Sequence, residues 1–469
     1  MFALIPSKVR SLEPLIRDAM IHRTALPLLA LLTACGAGPS AGGGNGASAG
    51  NRGSLDRGGS AGAAQVVSSS AGVAASGNAG NAGFESSMGV GGAGAAGLGA
   101  ASAGGASAGA GIGGMPGLPS RTQVLESLRR ANAYFVAKWP DPGKAIDSSH
   151  PSHIWTRAVY YEGLMGLYAV DPKPSDLSYA VAWGTSHNWA LNTGITTRNG
   201  DNQCAGQTYL DLYRISPQPP RMIEDIKANI DRVVAGAAVD DWTWIDAIQM
   251  AMPVFAKLGV LTGQSSYFDK MYAMYSSSKK AQGAAGFYSQ VDHLWWRDAD
   301  FDPPYREPNG KSCYWSRGNG WVFAALTRVL DTISVSEPHR PEYLADFVAM
   351  AEALRSVQRS DGFWNVSLHD PTHFGGPELT GTSLFAYGMA WGVQKGILPT
   401  ESYGPVIERA WTAMASAVHE NGFLGYVQGT GKQPSDGQPV TFDKVPNYED
   451  FGLGCFLLGG SEIARLAPL

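Results

Sequence analysis

Residues Asp240 to Met250 read Asp-Asp-Trp-Thr-Trp-Ile-Asp-Ala-Ile-Gln-Met, which sets Asp246 at the start of an apolar helix just after Trp242 and Trp244. An acid beside two tryptophans suits a sugar cleft. The indole faces cover sugar C–H surface, and burial among them raises the acid's pKa toward the range useful for proton transfer. Asp240 or Asp241 is expected to cap this helix. That leaves Asp246 one turn further in, where an unpaired buried acid is costly unless it is used.

Asp201 opens another helical stretch and is the second candidate acid, although a plain N-cap accounts for it equally well. His293 lies in Asp292-His293-Leu294-Trp295-Trp296-Arg297-Asp298, where the tryptophans and a long excursion favour a place at the pocket. Arg317 stands between Trp315 and Trp321, and its guanidinium suits a bidentate contact with a carboxylate. Glu378 is either a further acid or a helix-start carboxylate, and the sequence does not decide between them.

The elements that must position these residues are helices. From Arg121 onward the hydrophobic period gives about twelve helical stretches. They lie near 122–138, 154–169, 176–190, 203–215, 220–236, 242–259, 265–280, 319–333, 342–357, 379–395, 403–419 and 450–466. Stretches charged along one face alternate with stretches apolar nearly all round and rich in small residues. The first kind belongs on a surface and the second in an interior. Six such hairpins make an all-α chain, an (α/α)6 barrel with an inner and an outer ring. Short strand-like pieces at 286–290 with 293–298, at 362–366 and at 422–427 are expected to form small β-hairpins in the loops. Every candidate motif precedes or begins an inner helix, so all converge on one end of the barrel. Helix N-termini favour anions there, and the expected partner is an acidic oligosaccharide.

These motifs resemble those of the unsaturated rhamnogalacturonyl hydrolases, glycoside hydrolase family 105, and of the related unsaturated glucuronyl hydrolases of family 88. The residues that carry the resemblance are Asp201-Asn202, Trp244-Ile245-Asp246-Ala247, Leu294-Trp295-Trp296-Arg297-Asp298, Trp315-Ser316-Arg317-Gly318-Asn319-Gly320-Trp321, Leu368-His369-Asp370-Pro371 and Glu378-Leu379-Thr380-Gly381-Thr382-Ser383. The resemblance spans nearly all of 121–469 and implies an (α/α)6 fold. It implies removal of a 4,5-unsaturated uronic acid from the non-reducing end of lyase products by hydration of the C4=C5 vinyl ether. That chemistry differs from the usual carboxylate pair flanking a glycosidic bond. Asp246 is then the general acid/base, with Asp201 orienting water or holding Asp246 protonated. His293 and Arg317 are implied at the substrate and Trp315 and Trp321 in the pocket lining, while Trp244 is expected at the sugar from its place beside Asp246. No metal and no cofactor are implied. Rival readings are a glucuronyl hydrolase acting on ulvan or glycosaminoglycan fragments and a lipid-anchored oligosaccharide-binding protein without catalysis.

The rest of the chain is of another kind. Residues 36–119 are almost all Gly, Ala, Ser and Asn and hold many of the 60 glycines in the 469 residues. They read as a linker that cannot bury enough surface to fold. Residues 1–35 read as a signal peptide ending in Leu32-Thr33-Ala34-Cys35, which resembles a bacterial lipobox with Cys35 as the lipidated residue. The expected place is the bacterial cell envelope, anchored by lipid and facing the periplasm or the cell surface, with 120–469 as the catalytic domain. A net charge of −5 with no long basic run excludes nucleic acid as the partner. Cys204, Cys313 and Cys455 are odd in number and too scattered for a zinc motif.

Overall fold

The computed structural model describes residues 114–216 and 221–469. The signal peptide, Cys35 and most of the linker lie outside the described residues. Thirteen helices follow one another: α1 (Arg121–Lys138), α2 (Trp155–Val170), α3 (Pro174–Ser186), α4 (Gly200–Gln203), α5 (Ala205–Ile215), α6 (Arg221–Ala235), α7 (Asp246–Thr262), α8 (Ser266–Lys280), α9 (Ser316–Thr332), α10 (Arg340–Ser356), α11 (Leu379–Gln394), α12 (Thr400–Ser416) and α13 (Asp450–Leu466). Helices α4 and α5 are one helix interrupted at Cys204, so the count agrees with six hairpins.

Helices α2, α4–α5, α7, α9, α11 and α13 form the inner ring of an (α/α)6 barrel, and α13 packs back on α2 to close it. The sequence permits the closure because small residues face each other there. A methyl group on Gly163 would come within 2.4 Å of the Gly454 carbonyl oxygen, and one on Gly454 within 2.2 Å of the Val159 carbonyl. The seam also holds a buried ion pair, Arg157 Nε to Asp450 Oδ2 at 3.2 Å. Removing one member of such a pair costs about 3–5 kcal/mol, because the other is left charged and dry. The outer helices bury a single face. In α6, Met222, Ile226, Ile230 and Val233 are buried at helical spacing while Glu224 and Arg232 are exposed.

Three boundaries depart from the sequence reading. Packed chain begins no later than Gly114, since Met115 and Leu118 are buried and the Met115 amide donates to the Leu466 carbonyl. The linker therefore ends before 119. Helix α7 starts at Asp246, not at 242. Residues 242–245 stay outside the helix because they pair with another segment: Trp244 bridges Asp298, and the Ile245 amide donates to the Arg297 carbonyl at 2.9 Å. The expected β-hairpins are single bridges instead, such as Tyr288 with Trp295 and Val418 with Leu424. No strand longer than a bridge occurs among the described residues.

Candidate active site

The inner-helix N-termini touch one another around the barrel mouth. At the start of α4, Gly200 faces Ala247 of α7 so closely that an added methyl would lie 3.1 Å from the alanine Cβ. Asp201 and Asp246 flank that contact. Trp155, at the start of α2, meets Trp321 of α9 edge-on at 6.4 Å and Phe451 of α13 at 5.3 Å. The Leu379 amide at the start of α11 donates to the Tyr426 carbonyl.

Asp246 is buried, with 9% of its surface exposed, and is the first residue of α7. Burial raises its pKa, opposed chiefly by Arg297 and then by Arg317. Its Oδ2 accepts from Arg297 Nε at 3.2 Å. Neither Asp240 nor Asp241 caps α7. Asp241 instead pairs with Arg198, and the helix has no side-chain cap. Asp246 therefore sits at the unsatisfied amides themselves, nearer the positive end of the helix than the sequence suggested.

Asp201 is half-buried in the first turn of α4. It is not the cap of that helix, because the Asn199 side chain accepts from the Asp201 amide at 2.8 Å. Its own carboxylate has no hydrogen-bond partner among the described residues. Burial, and then the charge of Asp246, push its pKa up to about 7, with Arg297 pulling the other way. The two aspartates thus compete for ionisation around one guanidinium, and their protons belong to the pair.

Arg297 was quoted in the sequence motif but given no role, and it is the residue that touches Asp246. Its Nη1 donates to Asp298 Oδ2 at 2.5 Å. The segment is held from behind by Asn319, whose Oδ1 accepts from the Trp295 amide at 2.8 Å and whose Nδ2 donates to the Trp295 carbonyl at 3.0 Å. The local sign was the apolar run Leu294-Trp295-Trp296 ending at Arg297. Leu294 and Trp295 point into the core, while Trp296, Arg297 and Asp298 are half-buried. Which way Arg297 reaches is set by contacts distant in sequence.

His293 lies on the excursion between α8 and α9. It occupies the turn of the excursion at φ 55°, is exposed, and shares a hydrogen bond at 3.1 Å with the Tyr288 hydroxyl. Tyr288 in turn packs under Lys279 of outer helix α8. No contact joins His293 to either aspartate among the described residues.

Arg317 is fully buried with both terminal nitrogens engaged. Nη1 donates to the Gln428 carbonyl and Nη2 to the Gly429 carbonyl, each at 2.8 Å. Its guanidinium lies 4.5 Å from the Trp315 ring centre. A bidentate grip on a substrate carboxylate is thereby ruled out, since the fork is already filled by the loop. Trp315 Nε1 donates to Gln428 Oε1 at 2.9 Å, and Trp315 and Trp321 are both buried. The Trp-Ser-Arg-Gly-Asn-Gly-Trp motif therefore braces two loops, 295–297 through Asn319 and 428–429 through Arg317 and Trp315. Of the tryptophans near Asp246, Trp242 is core, wholly buried against Phe255, while Trp244 keeps part of its face open. Trp155, half-buried beside Trp321, is a further aromatic at this mouth. Glu378 is the N-cap of α11, accepting from the Thr380 amide at 2.8 Å and the Gly381 amide at 2.7 Å.

Among the described residues no cluster of His, Cys, Asp and Glu is arranged to hold a metal ion, and no helix is long and apolar enough to cross a membrane. Cys204, Cys313 and Cys455 are all buried and unpaired. The arrangement offers two neighbouring carboxyls whose proton affinity is raised by burial, a partly open guanidinium, and aromatic walls at a helix-rich mouth.

The profile of Glycosyl Hydrolase Family 88 matches residues 127–467. The chain is 33% identical over 376 residues to an unsaturated 3S-rhamnoglycuronyl hydrolase of Alteromonas sp. (strain LOR), covering 73% of this chain and 87% of that one. It is 30% identical over 333 residues to an unsaturated 3S-rhamnoglycuronyl hydrolase of Formosa agariphila, covering 66% and 84%. Among solved structures, a glycosyl hydrolase family 88 protein from Bacteroides vulgatus superposes with a TM-score of 0.67 at 30% identity, covering 74% of this chain and 99% of that one.

Proposed function

Because this chain belongs to glycosyl hydrolase family 88 and is a glycoside hydrolase acting on unsaturated uronic acid oligosaccharides, we propose that Asp246 and Asp201 carry out the hydration of the C4=C5 vinyl ether. The observation that carries this reading is the pair itself: two acids on neighbouring inner-helix starts, Asp246 bonded to Arg297 and Asp201 left without a hydrogen-bond partner among the described residues, with burial raising the proton affinity of both. Asp246 gives its proton to C4. The positive charge that develops spreads over C5 and the ring oxygen, and water adds at C5 as a carboxylate of the pair takes its proton. The resulting hemiketal opens to a ketone at C5, which frees a hemiacetal at C1, and that collapses to release the neighbouring sugar. Asp201 keeps the pair's proton available and helps to orient the water. Trp244 and Trp155 form walls for the sugar.

The names of the two relatives favour rhamnose as the sugar released, in a 3S-rhamnoglycuronyl linkage more than a rhamnogalacturonan one. The test is a panel of ulvan-, pectin- and glycosaminoglycan-lyase disaccharides, followed by loss of the double bond's ultraviolet absorbance. Turnover of the rhamnose-linked ulvan product ahead of the others is expected. Preference for a glycosaminoglycan product would overturn the leaving-sugar assignment, and binding of every member without turnover would favour a non-catalytic binding protein. Export and anchoring through Cys35, in the envelope of a bacterium, is proposed from the leader sequence. Radiolabelled palmitate incorporation that disappears in Cys35→Ala checks it.

A further inference from the structure

The substrate class proposed above carries a carboxylate on C5, one bond from the carbon that Asp246 protonates. The cation that neutralises this carboxylate must therefore adjoin Asp246. The cations near the mouth are few and mostly committed. Arg317 is buried with both terminal nitrogens on loop carbonyls. Arg157 is buried against Asp450. Arg198 is paired with Asp241, and Lys432 with Asp300 at 2.6 Å.

Arg297 alone combines contact with Asp246 and an open edge. Nε is held by Asp246 and Nη1 by Asp298, while Nη2 bonds to nothing among the described residues. The side chain keeps 19% of its surface exposed. Its plane is fixed before any ligand arrives, by two carboxylates at its rim, the Asn319 clamp on Trp295, and its own carbonyl bound to the Ile245 amide. A guanidinium so fixed loses little freedom on meeting a second planar anion.

We propose that Arg297 is the specificity-determining residue for the uronate carboxylate, receiving it on the Nη2 edge beside Asp246. The assignment rests on the function proposed above. It has a consequence for the acid. Arg297 is the largest charge holding the Asp246 carboxyl in its ionised form. A substrate carboxylate on the same guanidinium offsets that charge and adds a negative neighbour, so the proton affinity of Asp246 rises as the substrate seats. The anion that is recognised thereby helps to load the proton that it needs.

The test compares Arg297→Gln and Arg297→Lys with wild type on an unsaturated uronate disaccharide and on its methyl ester. Losing one charge-assisted contact is expected to raise KM for the free acid by about 10- to 100-fold in the Gln variant. KM for the ester should be unchanged, and the Lys variant should be intermediate. A Gln variant that lowers kcat equally on acid and ester, with KM unchanged and a displaced pH profile, would overturn the proposal and make Arg297 a positioning residue for Asp246. Calorimetry with saturated glucuronate, which cannot react, separates this idea from the reaction assigned above. Weaker binding to the Gln variant supports the carboxylate contact even if no unsaturated disaccharide is turned over. Equal binding to both proteins refutes it even if wild type is fully active.

Discussion

At the C-terminal ends of the inner helices the barrel also holds buried charges, as it does at its mouth, yet it treats them differently. There Lys257 Nζ lies 2.7 Å from Asp211 and 3.1 Å from the Gln207 carbonyl, and Arg328 Nε donates to Gln207 Oε1 at 3.0 Å. Glu162 accepts from Gln249 Nε2 at 2.8 Å and from the Cys204 thiol at 3.2 Å. Of these groups Glu162, Asp211, Lys257 and Arg328 line a cavity of about 500 Å³, together with Tyr387, Ser461 and Glu462. At the mouth, the Asp201 carboxyl has no partner and Asp246 has one, at 3.2 Å. At the first end Lys257, Arg328 and Glu162 each hold at least one direct hydrogen bond, because the fold gains nothing from an unsatisfied buried charge. Charges left under-bonded at a cleft are the ones available to a substrate. What separates the two ends is the bonding of these carboxyls: Glu162 accepts two hydrogen bonds, Asp246 one and Asp201 none among the described residues.

The sharpest way to break this contrast is at Asp246. Asp246→Asn keeps the side chain's shape and removes its proton. Hydrolysis is expected to fall on the order of 10³-fold, the scale of a lost general acid/base. The thermal midpoint should stay within a few degrees, since the lost pairing is with a half-open arginine. Absorbance assays and a melting curve on the same sample check both halves. Retained turnover would remove Asp246 from the chemistry.

The next effect is measured at the opposite end. Lys257→Met takes from Asp211 its directly bonded cation and leaves only Arg328 at 4.0 Å, and a destabilisation of about 2–4 kcal/mol is expected in urea unfolding. Turnover by the folded variant should stay within about twofold of wild type. A large loss of kcat with little loss of stability would mean that the two ends are coupled along the barrel axis, through Glu162, Cys204 and Gln249.

Asp201 gives the contrast a sign in pH. Its pKa stands at about 7 in the folded chain against an ordinary carboxylate value of 3.8. Between these values the native state holds a proton that the unfolded chain has lost, so stability falls as pH rises through the window, and the penalty is complete above about 7. Asp201→Asn removes the penalty. The variant should be more stable than wild type at pH 8, by on the order of 1–3 kcal/mol after allowance for solvent at a half-open site, and equal to it below about pH 4. Wild-type activity should decline as the pair loses its shared proton near neutrality, and the decline should move in the variant. Melting curves and rate profiles across this range check the stability and the activity separately.

Much of this could be read before any coordinates, for identifiable reasons. Long helices with an apolar period, such as α6 and α13, announce themselves locally. So does the Asp246 segment, where residue types alone mark a sugar site. What could not be read depends on distant partners. Arg317 looked free because the carbonyls of Gln428 and Gly429 that occupy it lie more than a hundred residues on. The start of α7 was misplaced because the pairing of 244–245 with 297–298 overrides the local helical preference. Glu378 was undecidable in sequence, since a capping carboxylate and a catalytic one look alike until the amides of Thr380 and Gly381 are seen to converge on it.

The smallest expected effect discriminates between the two readings of a single strand-like segment. His293 and Arg297 are four residues apart, and residue type alone favours the histidine as the group at the substrate. The turn at His293 carries its ring out to Tyr288 and solvent, while the segment beyond it runs back under the mouth, held at Trp295 by Asn319. An exposed side chain with one hydrogen bond to a tyrosine contributes little to stability or to the site. His293→Ala is therefore expected to change kcat/KM by no more than about twofold, the range of an ordinary surface substitution. A loss of tenfold or more on an unsaturated disaccharide would show that the excursion folds over the substrate and brings the histidine inward. The division between a bracing motif and a reacting pair would then have to be redrawn around that motion.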